Sequence, residues 1–330
     1  MDGWHVPFGH GPYFTPTDEL DGATMEDCRR VARLQPSRPV VLRGAARSWP
    51  ASSKWTFRTL AARLLATSVS SASLYSGAPS PPSEQGATPA PLVREVVPYL
   101  LGLAEEEESA AAAPSSKPLF EQIYTAGDGS YALRLNVDQR PATPYLSQWS
   151  MMDEAPELAD DLRVRALWPR TTMVWSHVFL GPRGTVTGLH FDWNNNMFTQ
   201  LRGTKDWILF PASESDKLSP SLKFDYGATC CDVDLTSPEK MPAAVRARFA
   251  EARGWHARLQ PGDVLFVPRG VWHAVASNSP SISVAAFGLS VWETLTRGPF
   301  MLLLNSLHLL GLYRRGHCTC CRNAHSAYHE

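Results

Sequence analysis

The clearest pattern in the chain has a period of two. Met173, Trp175, His177 and Phe179 take turns with Val174, Ser176, Val178 and Leu180, the spacing that puts alternate side chains on opposite faces of a strand. Gly181-Pro182-Arg183-Gly184 then turns the chain. Residues 196–201 and 206–210 make two more strands, and Arg202-Gly203-Thr204-Lys205 between them carries the glycine of a hairpin connection. Pro261-Gly262-Asp263 turns into a strand at 264–267, and 281–289 is a further one. Short strands, glycine-rich turns and few long helices predict a mainly β protein, an antiparallel barrel or double-sheet jelly roll. Residues 211–260 read as a long insertion with a short helix at 243–252.

Helical spacing is confined to the flanks. Residues 39–44 form a short apolar strand ended by Gly44, and Ser53 caps a helix in which Trp55, Phe57, Leu60, Ala61 and Leu64 share one face. Residues 68–91 and 104–118 are rich in Ser, Pro, Gly and Ala and read as loops around a short helix at 92–103. The run Glu105 to Glu108 reads as a solvated helix end. At the other end, residues 300–313 are apolar, but Asn305, Ser306 and His308 make them an amphipathic docking helix rather than a bilayer span. The expected organisation is a flank over 1–120, a β domain over 121–295, and a C-terminal helix with a Cys/His tail over 296–330.

Composition narrows the function classes. With 31 basic against 32 acidic residues the net charge is −1, so no global field draws the chain to nucleic acid or anionic membrane. The start lacks the basic and apolar run of a secretory signal. The six cysteines are Cys28, Cys230, Cys231, Cys318, Cys320 and Cys321, which is not the spacing of a disulfide-stapled domain. An intracellular protein, cytoplasmic or nuclear, is expected, with no membrane partner.

The chemistry-bearing residues are His190-Phe191-Asp192 and the later His273. Positions 190 and 192 of a strand face the same side, and a second strand can bring His273 to the same point. Two imidazoles and one carboxylate on one face of an octahedral ion leave three positions open, an arrangement suited to non-haem iron. The tripeptide alone is a weak signal, because ten histidines give about half a chance match.

Its neighbours strengthen it. Gly181-Pro-x-Gly, Thr187-Gly-Leu-His-Phe-Asp, Asn196, Arg202-Gly-Thr-Lys205, Trp207-x-Leu-Phe-Pro211, Pro261-Gly-Asp and Val267-Pro-x-Gly-x-Trp-His273 resemble, in order and spacing, the JmjC-domain oxygenases of the cupin superfamily. The resemblance spans about 40–289 and is nearest to the small JmjC-only members that hydroxylate protein side chains. It implies a double-stranded β-helix with flanking helices at both ends, Fe(II) held by His190, Asp192 and His273, and 2-oxoglutarate and O2 as cosubstrates. It places Thr187 and Lys205 on the distal carboxylate of 2-oxoglutarate and Asn196 near the oxo acid. The chemistry agrees, since a lysine aimed into a barrel needs a buried anion. One departure stands out: Ala285 occupies a position where the family commonly has asparagine.

Other readings stay open. By ligand type alone, zinc or nickel also suits the three residues, and the two histidines could be core residues. The implied reaction is hydroxylation of a protein or peptide side chain. Its rivals are N-methyl-lysine demethylation at the same iron and a catalytically silent cupin-like binding protein. His177, Trp193, Trp207 and Trp272 read as packing residues. His317, Cys318, Cys320, Cys321, His325 and His329 have the ligand types of a zinc site without a standard finger spacing. Leu303, Leu304, Leu309 and Leu310 offer a helix face for packing on the barrel or for a homodimer.

Overall fold

The computed structural model describes residues 11–66, 75–76, 93–112, 118–136, 145–236 and 240–318. Its strands are β1 (Tyr13–Pro16), β2 (Asp18–Leu20), β3 (Val40–Leu42), β4 (Tyr75–Ser76), β5 (Phe120–Thr125), β6 (Tyr131–Leu135), β7 (Leu146–Trp149) and β8 (Met173–Gly181). They continue as β9 (Val186–Asp192), β10 (Asn195–Arg202), β11 (Lys205–Phe210), β12 (Ala228–Cys230), β13 (Arg253–Leu259), β14 (Val264–Val267), β15 (Trp272–Ser277) and β16 (Ser281–Leu289). The helices are α1 (Met25–Leu34), α2 (Pro50–Lys54), α3 (Phe57–Ala66), α4 (Val93–Ala112), α5 (Met151–Glu154), α6 (Ser215–Leu218), α7 (Ala243–Ala250) and α8 (Val291–Leu309). One sheet runs β12-β9-β15-β11-β13-β1-β6-β5 and the other β2-β3-β14-β10-β16-β8-β7-β4, so the mainly β, double-sheet architecture expected from the strand pattern is present.

The two sheets face each other across an apolar interior. Phe198, Leu265, Val267 and Ala285 from one sheet meet Trp207, Leu209, Ala257, Leu259 and Val275 from the other. The outward side of β10, β14 and β16 is covered as well. There Met197, Phe266, Ile282 and Val284 pack on Trp49, Trp55, Phe57 and Leu100 of the helical flank. Burying a side chain the size of Phe57 stabilises the fold by about 1.5–3 kcal/mol, so the flank is an integral wall of the barrel. Covering both faces also explains why these strands read as continuous apolar runs rather than alternating ones.

Several local expectations need correction. Residues 202–205 do not close a hairpin: β10 pairs with β14 and β16 while β11 pairs with β13 and β15, so the turn carries the chain across to the opposite sheet. Gly203 has φ +71°, and a Cβ there would lie 2.1 Å from the Pro280 carbonyl oxygen. The supposed insertion at 211–260 contains β13, which pairs with both β11 and β1. The expected helix inside that stretch is α7. Ser53 does not cap a helix at 54–65; it lies within α2 and donates to the Pro50 carbonyl. The chain breaks after Lys54, and Thr56 and Thr59 exchange hydrogen bonds at the start of α3.

The acidic run is only partly a solvated end: Glu105 and Glu108 are exposed, but Glu106 and Glu107 are half-buried. Within α4, Glu106 accepts from the Arg183 backbone N–H at 2.9 Å, Glu107 takes two guanidinium nitrogens of Arg202 at 2.6 and 2.8 Å, and Glu108 pairs with Arg58 at 2.8 Å. Two of these carboxylates thus fasten α4 to the turns at the ends of β8 and β10. Most of 68–91 lies outside the described residues. No described helix is long and apolar enough to cross a membrane.

Candidate metal centre

Two adjacent strands carry the three candidate ligands. His190 and Asp192 lie on β9, and His273 of β15 sits directly opposite His190. Their ligand atoms all lie within 4.8 Å of one another, the one such cluster among the described residues. His273 Nε2 is 3.6 Å and His190 Nε2 3.9 Å from Asp192 carboxylate oxygens. Each imidazole is oriented from behind. The Nδ1 of His190 is 2.8 Å from the Gly188 carbonyl and that of His273 is 3.0 Å from the Val271 carbonyl. A carbonyl can only accept, so each Nδ1 carries a proton and each Nε2 is the nitrogen turned toward the common point, the orientation found in metal-ligating histidines.

The electrostatics fit a cation. Burial pushes the Asp192 carboxyl up to about 6, against the pull of His190. Burial and the neighbouring His190 press His273 well below the ordinary imidazole value. A buried imidazole held neutral and a buried carboxylate short of charge compensation are a setting that a divalent ion stabilises.

A second cluster lies deeper in the same interior. Lys205 is 0% exposed, and no carboxylate among the described residues pairs with it. Its Nζ donates to the Tyr145 hydroxyl at 3.2 Å and lies 5.3–5.9 Å from the rings of Tyr145, Phe179 and Phe198. Thr187 is hydrogen-bonded to the same Tyr145 hydroxyl. Burial alone brings Lys205 down to about 7. An isolated buried ammonium is costly, so this arrangement suits a small anion beside Lys205.

A bulge joins the two clusters. On a regular strand Thr187 and His190, three apart, would face opposite sides. His273 is opposite His190 and Val275 opposite Thr187, so two steps along β15 match three along β9. The extra residue turns both side chains inward. Asn196 completes the arrangement by hydrogen-bonding Asp192, and its own Oδ1 is buried without a partner.

The structure therefore brings together every site residue expected from the sequence, and adds Tyr145. That residue follows a proline-rich stretch with no periodic pattern, so no sequence signal marked it. Ala285 lies on the inner wall directly opposite His177, whose Nδ1 is buried without a hydrogen-bond partner. Trp207 packs against the His273 ring at 5.5 Å and Trp272 is fully buried. Of the C-terminal cluster, Cys318 is buried, while Cys320, Cys321, His325 and His329 lie outside the described residues.

Comparison with known proteins agrees with this geometry. A family model described as a cupin-like domain matches residues 32–287. The chain belongs to the cupin-like family. Relatives of this cupin-like protein carry JmjC names, as the motifs implied. It is 31% identical over 155 residues to a Jumonji C domain-containing protein 5 of Drosophila melanogaster, covering 45% of this chain and 36% of the fly protein. It is 26% identical over 263 residues to a lysine-specific demethylase 8 of Xenopus tropicalis, covering 76% of this chain and 48% of the frog protein. It is also 35% identical over 109 residues to an HSPB1-associated protein 1 homolog of Danio rerio, covering 32% of this chain and 23% of the fish protein. The matches thus span less than half the length of these relatives.

Proposed function

We propose that this cupin-like protein is an Fe(II)- and 2-oxoglutarate-dependent oxygenase that hydroxylates a protein or peptide side chain. The observation that carries the reading is Lys205, a fully buried lysine with no carboxylate partner among the described residues, held in the same interior as the His190, Asp192 and His273 cluster. A structural metal site would not need that lysine. When bound, iron with 2-oxoglutarate and O2 supplies the oxidising power that inserts oxygen into a C–H bond.

The chain's own residues bind and orient. His190, Asp192 and His273 would hold the ion through two imidazole nitrogens and one carboxylate, a donor set that suits Fe(II). Lys205 neutralises the distal carboxylate of the oxo acid, with the Thr187 and Tyr145 hydroxyls beside it. Phe179 and Phe198 keep water from the ammonium and strengthen that pairing. Asn196 holds the Asp192 carboxylate, and the Gly188 and Val271 carbonyls fix the imidazole protons.

N-methyl-lysine demethylation is the second reading, favoured by the name of the frog relative. The two differ in product mass, a gain of oxygen against a loss of methylene. A silent binding protein is the third, and the small Ala285 on the inner wall supports it. A protein partner also suits α8, where Trp292, Leu302, Leu303 and Leu309 are largely exposed; a homodimer through this face is part of the proposal. The free, buried thiols of Cys28, Cys230 and Cys231 suit a reducing, cytoplasmic or nuclear compartment.

The test is succinate formation from 2-oxoglutarate with Fe(II) and ascorbate. Wild type is expected to turn over, and His190→Ala and Lys205→Ala are expected to lose turnover. No turnover by metal-loaded wild type across a broad peptide set would replace the oxygenase with the silent binding protein.

A further inference from the structure

A cleft of about 590 Å³ opens between α8 and the loop that leads into β12. It adjoins the metal centre through the backbone. Trp193, on its wall, follows Asp192 in the chain, and Ala228, also on its wall, is paired with Asp192 in the β9–β12 ladder. Its charge differs from that of the whole protein. Among the described residues, Lys223, Arg297 and Arg314 line it beside one carboxylate, Asp225, whereas the chain as a whole is at −1.

Arg297 is the informative residue. One guanidinium nitrogen donates to the Trp193 carbonyl at 2.6 Å, and the other terminal nitrogen is buried without a hydrogen-bond partner. The nearest carboxylate, Glu293, is 3.9 Å away and is already bound by Arg269 at 2.7 Å. Burial and the Arg269 charge push the Arg297 guanidinium below its ordinary range. A cation left short of an anion beside an open cleft gains from an arriving carboxylate. The ring of Phe224 gives the same cleft an apolar wall.

We propose that this cleft is the subsite that receives an acidic, aromatic- or aliphatic-bearing segment of the substrate polypeptide and so places the neighbouring residue at the metal centre. The oxygenase reading is assumed in calling the occupant a substrate. Nucleic acid fits less well, because Asp225 sits among the three cations and would oppose a phosphate chain.

The test is fluorescence anisotropy with the full chain loaded with Mn(II). Two labelled peptides share length and phenylalanine positions, one carrying glutamate and the other lysine at the remaining sites, and a labelled single-stranded oligonucleotide is the third probe. The glutamate peptide is expected to bind at least about tenfold more tightly than the lysine peptide, with an affinity that falls as salt rises. Arg297→Gln and the exposed Arg314→Gln should each weaken it several-fold, and Arg297→Lys should restore part of the loss. Equal affinity for both peptides, no binding of either, tighter binding of the oligonucleotide, or natively melting variants that bind as wild type would each overturn the subsite. The same preparation is titrated with 2-oxoglutarate. Cosubstrate binding without peptide preference overturns the cleft alone, and absent cosubstrate binding overturns the oxygenase reading.

Discussion

Two buried charges show how differently this fold treats its flank and its barrel. Asp161, between the short helical turns that pack on the flank, is 4% exposed and surrounded by donors. Lys54 reaches it at 3.0 Å, the Trp55 indole at 2.9 Å, and Arg63 closes on the second oxygen. Burial opposes ionisation there, but the hydrogen bonds from Arg63, Trp55 and Lys54 outweigh it and hold the carboxyl down at about 2. Lys205, inside the barrel, has one neutral hydroxyl within reach and three aromatic rings. The protein satisfies the first charge with its own side chains, whereas the second has no carboxylate partner among the described residues. A satisfied buried charge marks structure; an unsatisfied one marks a site.

The comparison breaks if the two charges respond alike to removal. Lys205→Met should weaken 2-oxoglutarate binding by about 2–5 kcal/mol, because a buried charge pair loses one partner. The same substitution should stabilise the ligand-free protein by about 1–3 kcal/mol, since it removes an uncompensated ammonium. Calorimetric titration and denaturant unfolding read the two effects. Loss of stability in Lys205→Met would mean that the ammonium is satisfied within the fold. Asp161→Asn should do the reverse. It should cost about 2–3 kcal/mol of stability, discounted because Lys54 and Arg63 are partly in water, and leave cosubstrate affinity unchanged.

Acidity sharpens the contrast with a smaller effect. Lys205 sits at about 7 in the ligand-free protein, below its ordinary value of 10.5. The unfolded chain therefore binds more protons between these values, and ligand-free stability should rise with pH across that window. Cosubstrate binding needs the ammonium, so its affinity should fall by up to about tenfold per unit as pH rises above 7. Asp161 has the opposite sign. Its contribution is complete above the unfolded value near 3.8 and is lost as pH falls toward about 2. A cosubstrate affinity flat from pH 6 to 9 would contradict the Lys205 assignment.

What the sequence disclosed follows the same division. His190, Asp192, His273, Thr187, Lys205 and Asn196 stood in short motifs, and the structure brings them into one interior. Tyr145 was invisible because it reaches the site through tertiary packing from a segment without pattern. The bulge that turns Thr187 and His190 to one side was also hidden, since a period of two assigns them to opposite faces. β8 and β16 were legible from their residues, whereas β13 was masked by Arg253, His256 and Arg258 between its apolar positions. The glycine at 203 signalled a turn correctly but not whether the turn closed a hairpin or crossed between sheets. Glu106 and Glu107 looked like solvent-facing charge because their partners, Arg183 and Arg202, lie 77 and 95 residues away.

The central claim is that the triad and Lys205 form a single site for one ligand anchored at both ends. Its most direct test is calorimetric titration of 2-oxoglutarate into metal-stripped and Mn(II)-loaded protein under anaerobic conditions. Binding that strengthens at least about tenfold with the metal, and loses most of that strength in Lys205→Met, is the predicted result. Affinity that is the same with and without metal, or unchanged by Lys205→Met, would contradict it.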